Sequence, residues 1–252
     1  IRGVALVALV ATAAATSAAT LNDPSLVLNN IVISGTLNQP TSMAFLATDD
    51  ILVCEKSTGQ VRRILNGAVQ GGSVLDLAVA NSSEQGLLCI ALDPQFASNQ
   101  SVYLYYTKSS TASDGGTAQD NRVEKFAWNG TSLVFAATVI TLPASPGPNH
   151  DGGIITFGPP SAPPASQKLF VVIGDLNRNN QLENHAAGAA PDDTGCILRL
   201  NADGSTPSGA DAGPFFSVPS ANASLQRIYA YGVRNCFGMD FDPVTDALWD
   251  TE

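Results

Sequence analysis

The sequence predicts an all-β fold of the propeller type, and three observations carry that prediction. Apolar runs are short, four to six residues, and are separated by clusters of Gly, Pro, Asn, Asp, Ser and Thr, the composition of many strands joined by turns. No stretch of the 252 residues has the period of a long amphipathic helix. One unit also recurs: an apolar strand, a turn that is often Asp-Pro or Gly-Pro, and a second apolar strand.

The unit appears as Ser42–Leu46, Asp49-Asp50 and Ile51–Cys54, and again as Leu87–Leu92, Asp93-Pro94 and Val102–Tyr106. A third copy is Ile154–Phe157, Gly158-Pro159 and Leu169–Ile173; a fourth is Gly238–Phe241, Asp242-Pro243 and Ala247–Trp249. The copies are spaced by roughly 45 to 85 residues, which suits four-stranded blades with inserted loops. Further strands are expected at Val61–Leu65, Val123–Trp128, Ser132–Phe135, Cys196–Leu200 and Arg227–Tyr231. The Asn129-Gly130 pair supplies the positive φ angles of a tight hairpin. Leu142–Pro148, Pro159–Pro164 and Ser109–Gly116 read as loops, the last of them mobile and at the surface. A β-sandwich would use the same strands; recurrence at blade-like intervals favours the propeller.

Charge narrows the partners. The chain has 12 Lys and Arg against 22 Asp and Glu, a net charge of −10. A basic face able to displace counterions from phosphates is missing, which argues against nucleic acid, and an anionic membrane surface is disfavoured in the same way.

The first twenty residues differ from the rest. Arg2, the apolar run Val4–Ala15 and the small residues through Ala19 have the pattern of a secretory signal cleaved after Ala18 or Ala19. The run is short for a membrane span, and a buried N-terminal strand or helix is the alternative. The chain opens on Ile1 rather than Met, so the start of this leader is expected to be missing. Four cysteines, Cys54, Cys89, Cys196 and Cys236, permit disulfides in an exported protein without fixing any pairing. Cys54 and Cys89, in apolar runs, read equally as small buried hydrophobes. Sequons begin at Asn81, Asn99, Asn129 and Asn222, weak pointers to glycosylation.

The densest polar cluster is Asn149-His150-Asp151-Gly152-Gly153, between a Pro-rich loop and the strand Ile154–Phe157. A histidine there suits proton transfer near neutral pH; by the residues alone, a turn histidine at the surface is the stronger reading. Asp175 closes the strand Leu169–Ile173 and would orient and charge-stabilise His150 if the two meet; an Asx turn is the alternative. Arg234, in Gly232-Val233-Arg234-Asn235, could set a fixed cation against a developing oxyanion or be an ordinary surface arginine. Glu84 precedes Leu87–Leu92 and could join the same rim. His185 reads as an exposed loop histidine.

Taken in order, these segments resemble the soluble glucose/sorbosone dehydrogenase family, quinoproteins that use pyrroloquinoline quinone on a six-bladed propeller. The matching stretches are Gln39-Pro40 with Met43-Ala44-Phe45, Gly86–Leu88 through Leu92–Phe96, and Asn149-His150 with Gly153. They continue with Ile173–Asp175, Ile197–Asn201 with Asp203-Gly204, Tyr231–Asn235 and Leu248–Glu252. No single motif is strong; their order from about residue 39 to the end of the chain is specific.

The resemblance implies roles. His150 would be the base that takes the proton of a sugar's anomeric hydroxyl while hydride passes to the quinone, giving a lactone. Asp175 would hold His150. Arg234 would face a quinone carbonyl, and Asn235 and His150 would also touch the cofactor. Glu84 and Asn149 fall where the glucose enzyme has Gln and Asp on sugar hydroxyls. Cys236 stands where the family commonly has Pro and Cys196 where it commonly has Lys, which implies a local disulfide between them. Residues 20–252 would be the N-terminal part of the propeller, about four blades, after a leader at residues 1–19. The calcium that holds the quinone would take its ligands beyond Glu252, so residues 1–252 alone are expected to be inactive. Two rivals stand beside the enzyme: a secreted propeller of the Hedgehog-interacting type that binds a protein, and a calcium-dependent propeller lactonase.

Overall fold

Alternation of side chains along each strand decides the architecture. The computed structural model describes residues 23–25, 35–178, 192–213 and 223–252; the leader, His185 and Asn222 lie outside them. The chain divides into two units, Ile1–Ile31 and Val32–Glu252. Of the first, only Asp23–Ser25 is described, a turn in which the Asp23 carboxylate accepts from the backbone N–H and hydroxyl of Ser25.

The second unit is built of antiparallel sheets. The first holds β1 (Pro40–Ala47), β2 (Asp50–Glu55), β3 (Gln60–Leu65) and β4 (Ala68–Val69) in that order, with β5 (Leu75–Asp76) also on β3. The second is β6 (Leu87–Leu92), β7 (Ser101–Ser109), β8 (Ala118–Trp128) and β9 (Leu133–Leu142). The third is β10 (Ile155–Gly158), β11 (Lys168–Ile173), β12 (Cys196–Leu200) and β13 (Ile228–Tyr231). β14 (Gly238–Phe241) and β15 (Leu248–Thr251) form a fourth, two-stranded sheet. The two α-helices among the described residues, Phe96–Asn99 and Ala223–Arg227, are about one turn each. All four repeats expected from the sequence are therefore strand pairs, β1–β2, β6–β7, β10–β11 and β14–β15.

The first three sheets are apolar on both faces, and each sheet shares a core with its neighbour. On β7, Val102, Leu104 and Tyr106 pack with Leu52, Cys54 and Val61 of the first sheet. The alternate residues Tyr103 and Tyr105 pack with Leu169, Val171 and Ile173 of the third. On β11 the remaining residues, Phe170 and Val172, turn the other way and meet Met239 and Phe241 of the fourth. A fully buried Leu, Ile or Phe stabilises the fold by about 1.5–3 kcal/mol relative to exposure, so these shared cores hold the sheets together. The first strands approach one another in turn, β1 to β6, β6 to β10 and β10 to β14. Sheets stacked face to face around their first strands are the blades of a propeller.

The disulfide expectation is overturned. All four cysteines are buried and none is disulfide-bonded. Cys196 lies in the core between the second and third sheets, whereas Cys236 lies in the core between the third and fourth. The third sheet stands between them, and the Cys236 thiol donates to the Gly238 carbonyl instead.

Candidate functional site

One end of the propeller gathers the polar residues. Glu84 precedes β6, His150 precedes β10 and Asn235 precedes β14, while Lys56 follows β2 and Asp175 follows β11. Second strands run antiparallel to first strands, so the starts of one and the ends of the other share an edge.

His150 and Asp175 meet there. His150 Nδ1 lies 2.6 Å from Asp175 Oδ1, with the histidine side chain 12% exposed and the aspartate 2%. Asp175 is fixed by its own backbone: its N–H donates to the Arg234 carbonyl at 2.9 Å, and its Oδ1 accepts from Asn177 N–H at 2.9 Å. His150 sits at φ +63, a left-handed conformation that costs a non-glycine residue of order 1 kcal/mol or more. Contacts on both sides hold it. Its N–H donates to Glu84 Oε2 at 2.6 Å, and its carbonyl accepts from Leu176 N–H at 3.3 Å. Gly174 makes the meeting possible: a Cβ there would lie 2.3 Å from the His150 carbonyl oxygen and 2.5 Å from that of Arg234.

Glu84 and Asn149, the expected sugar-contacting pair, are both engaged with the protein. Glu84 Oε2 accepts from the His150 N–H and from Asn235 Nδ2, the latter at 3.0 Å. Asn149 Oδ1 accepts from the Ser83 hydroxyl. Arg234 is different. Its backbone N–H donates to Glu252 at 3.0 Å, but its exposed guanidinium makes no hydrogen bond or ion pair among the described residues. Asn235 is 5% exposed and its Oδ1 is buried without a partner. A cavity of ≈ 260 Å³ opens beside these groups, with Thr41, Lys56 and Glu84 as polar lining and Leu88, Ile154 and Phe237 as apolar wall.

Lys56 was not singled out in the sequence, and Asp151 stood in the polar cluster without a role of its own. Lys56 Nζ donates to the Ser83 carbonyl at 2.6 Å, and desolvation lowers its pKa, partly offset by the charges of Asp151 and Glu84. Asp151 is fully buried, which its place in a polar cluster between a Pro-rich loop and a strand does not suggest. Its signal lies at Asn121, 30 positions earlier, whose Nδ2 donates to Asp151 Oδ1 at 3.0 Å; no local pattern exposes that pairing.

A part-buried histidine held by a buried aspartate, on a propeller rim whose next loop carries Arg234, is an arrangement able to move a proton. The sequence profile of the glucose / sorbosone dehydrogenase family matches residues 37–252, and the chain belongs to that family. It is 31% identical over 243 residues to an uncharacterized protein of Synechocystis, covering 88% of this chain and 53% of that one. It is 27% identical over 231 residues to quinoprotein glucose dehydrogenase B of Acinetobacter calcoaceticus, covering 84% and 45%. The PQQ-bound aldose sugar dehydrogenase of Streptomyces coelicolor superposes with a TM-score of 0.69 at 28% identity, over 90% of this chain and 59% of that chain. The chain thus spans about half the length of the curated relatives it matches.

The residues present fit a quinone of that kind. The Arg234 guanidinium, without a partner among the described residues, offers donors to carbonyl or carboxylate oxygens, and the orphaned Asn235 Oδ1 calls for a donor. Among the described residues no group of three or more His, Cys, Asp or Glu is arranged to hold a metal ion, and no helix is long and apolar enough to cross a membrane.

Proposed function

We propose that the whole protein is a quinoprotein that oxidises an aldose-type sugar at its anomeric carbon to a lactone. The observation that carries this reading is the His150–Asp175 pair, 2.6 Å apart, on a loop bonded to the Arg234 backbone. With Nδ1 bonded to Asp175, the His150 nitrogen left to take the anomeric hydroxyl proton is Nε2. Asp175 fixes the tautomer and stabilises the imidazolium that forms. Arg234 and Asn235 would hold the quinone, Arg234 placing positive charge where negative charge develops. When bound, pyrroloquinoline quinone supplies the two-electron acceptor for the hydride that leaves the sugar. Among the described residues Glu84 Oε1 and Asn149 Nδ2 have no hydrogen-bond partner, and these atoms would meet sugar hydroxyls.

Calcium holding the quinone, an exported location and an external electron acceptor belong to the same reading. Residues 1–252 by themselves are proposed to be inactive: each quinone carboxylate buried without a cation costs several kcal/mol, and Arg178 of this rim is already committed to Asp192.

The test is sugar-dependent dye reduction by the full-length protein reconstituted with quinone and calcium. His150→Ala should keep quinone binding, read by absorbance, and lose most turnover; unchanged turnover removes His150 from the mechanism. A full-length protein that binds no quinone supports the protein-binding propeller instead.

A further inference from the structure

Asp151 is buried completely, and its Oδ2 has no hydrogen-bond partner. Its other oxygen has one donor, Asn121 Nδ2 at 3.0 Å. That carboxamide cannot turn away. Its Oδ1 accepts from the Thr107 hydroxyl at 2.6 Å, and its Nδ2 also donates to the Pro143 carbonyl at 2.9 Å. The Asp151 backbone is held too, its carbonyl accepting from the Tyr105 hydroxyl at 3.2 Å. The second blade therefore grips the residue next to His150 through β7 and β8.

The titratable groups facing Asp151 are Glu84 before β6, Lys56 after β2, His150 on its own loop and Tyr105 on β7. Lys56 makes no ion pair with it among the described residues, since its ammonium is turned to the Ser83 carbonyl. The two carboxyls differ in support. Glu84 accepts on a single oxygen from two N–H donors, His150 N and Asn235 Nδ2, the pattern of a hydrogen-bonded carboxylate. Asp151 has one donor for two oxygens and is wholly desolvated. When two carboxyls sit near one another in unequal surroundings, the less supported one takes the proton.

We propose that Asp151 is a positioning residue for His150, anchoring the loop through Asn121 and taking up a proton on acidification because one of its buried oxygens has no hydrogen-bond donor. Glu84 clamps the His150 backbone from one side, and Asn121 and Tyr105 anchor the next residue, Asp151, from the other. Desolvation pushes the Asp151 carboxyl up to about 6, Glu84 adding to the shift while Asn121, Lys56 and His150 oppose it. The proposal rests on the reading of His150 as the base, but its test needs no turnover.

The chain contains two histidines, so the His150 imidazole nitrogens are assignable by NMR, with His150→Gln as the reference. Aspartate carboxyl carbons are followed in the same samples from about pH 4 to about pH 8. One carboxyl is expected to titrate well above the ordinary aspartate range and to vanish in Asp151→Asn. Asp151→Asn, a neutral isostere, should leave the His150 Nδ1 signal near that of the parent at low pH, while Asp151→Ala and Thr107→Val should shift it. Thr107→Val keeps the side-chain shape and removes the hydrogen bond that holds Oδ1 of the Asn121 carboxamide, so it serves if Asp151→Ala does not fold. A carboxyl that titrates in the ordinary range, or a His150 signal unmoved in Thr107→Val, overturns the proposal. Either result leaves the His150→Ala turnover test untouched.

Discussion

Asn235 Nδ2 donates to Glu84 Oε2 at 3.0 Å across 151 positions of sequence. The same oxygen accepts the His150 N–H at 2.6 Å. One carboxylate thus joins the loops that enter the second, third and fourth blades.

Removing that carboxylate should loosen all three loops. Glu84→Ala leaves two part-buried N–H donors without an acceptor and is expected to destabilise the fold by about 1–3 kcal/mol. Glu84→Gln keeps an oxygen in place and should cost less than half as much. Urea unfolding of the two variants measures the difference; equal losses would show that the acceptor oxygen is not what matters.

Asp175→Asn should separate folding from chemistry. The amide keeps the shape but cannot stabilise an imidazolium. In the full-length protein turnover is expected to fall by about 10²–10⁴-fold with quinone binding retained. Steady-state rates beside a quinone absorbance titration decide it.

The strands were legible wherever apolar alternation met an uncharged sequence. β8 was not fully so: it begins at Ala118 rather than near Val123 because Asp120, Arg122 and Glu124 lie in the strand and are mostly buried. Arg122 pairs with both acids, at 2.6 Å to Asp120 and 3.1 Å to Glu124, and paired charges do not look like a strand. β9 runs on to Leu142, well past Phe135, because its middle is exposed and lacks the alternation of a half-buried strand. In the site, His150, Asp175 and Arg234 were candidates from the ordered resemblance; by type and position alone each had an ordinary turn or surface reading. The clamping role of Glu84 and the burial of Asp151 did not, since each depends on a partner far along the chain.

Asp151 should give stability a specific pH dependence. Its pKa rises from 3.8 in the unfolded chain to about 6 in the fold, so the folded state binds the proton more tightly. The contribution is fully present below about pH 4 and is lost as pH rises through about 6, leaving a deficit of about 3 kcal/mol above that. Asp151→Asn, neutral throughout, is expected to match the parent near pH 4 and to exceed its stability above about pH 6 by up to that amount. Paired urea titrations at both ends of the window test this; a difference that does not change with pH assigns the effect elsewhere.

Gly174→Ala should harm the site more than its size suggests. The added methyl would press on the His150 and Arg234 carbonyl oxygens at 2.3 and 2.5 Å, both backbone atoms. A loss of about 1–3 kcal/mol is expected, with the His150 imidazole spectrum altered even where the variant folds. An unchanged spectrum would mean that the loops yield.

The alternation on β7 and β11 has a consequence for how such a chain can be cut or copied. Tyr103 and Tyr105 belong to one core while Val102, Leu104 and Tyr106 belong to the next. A blade is therefore not a module that can be lifted out whole. Excising the second one would strip two interiors at once, and a slip of one residue in its pairing would exchange their contents. The self-contained unit is the space between two sheets, half owned by each, and the natural seam for a swap or an insertion runs along the loops rather than around a blade.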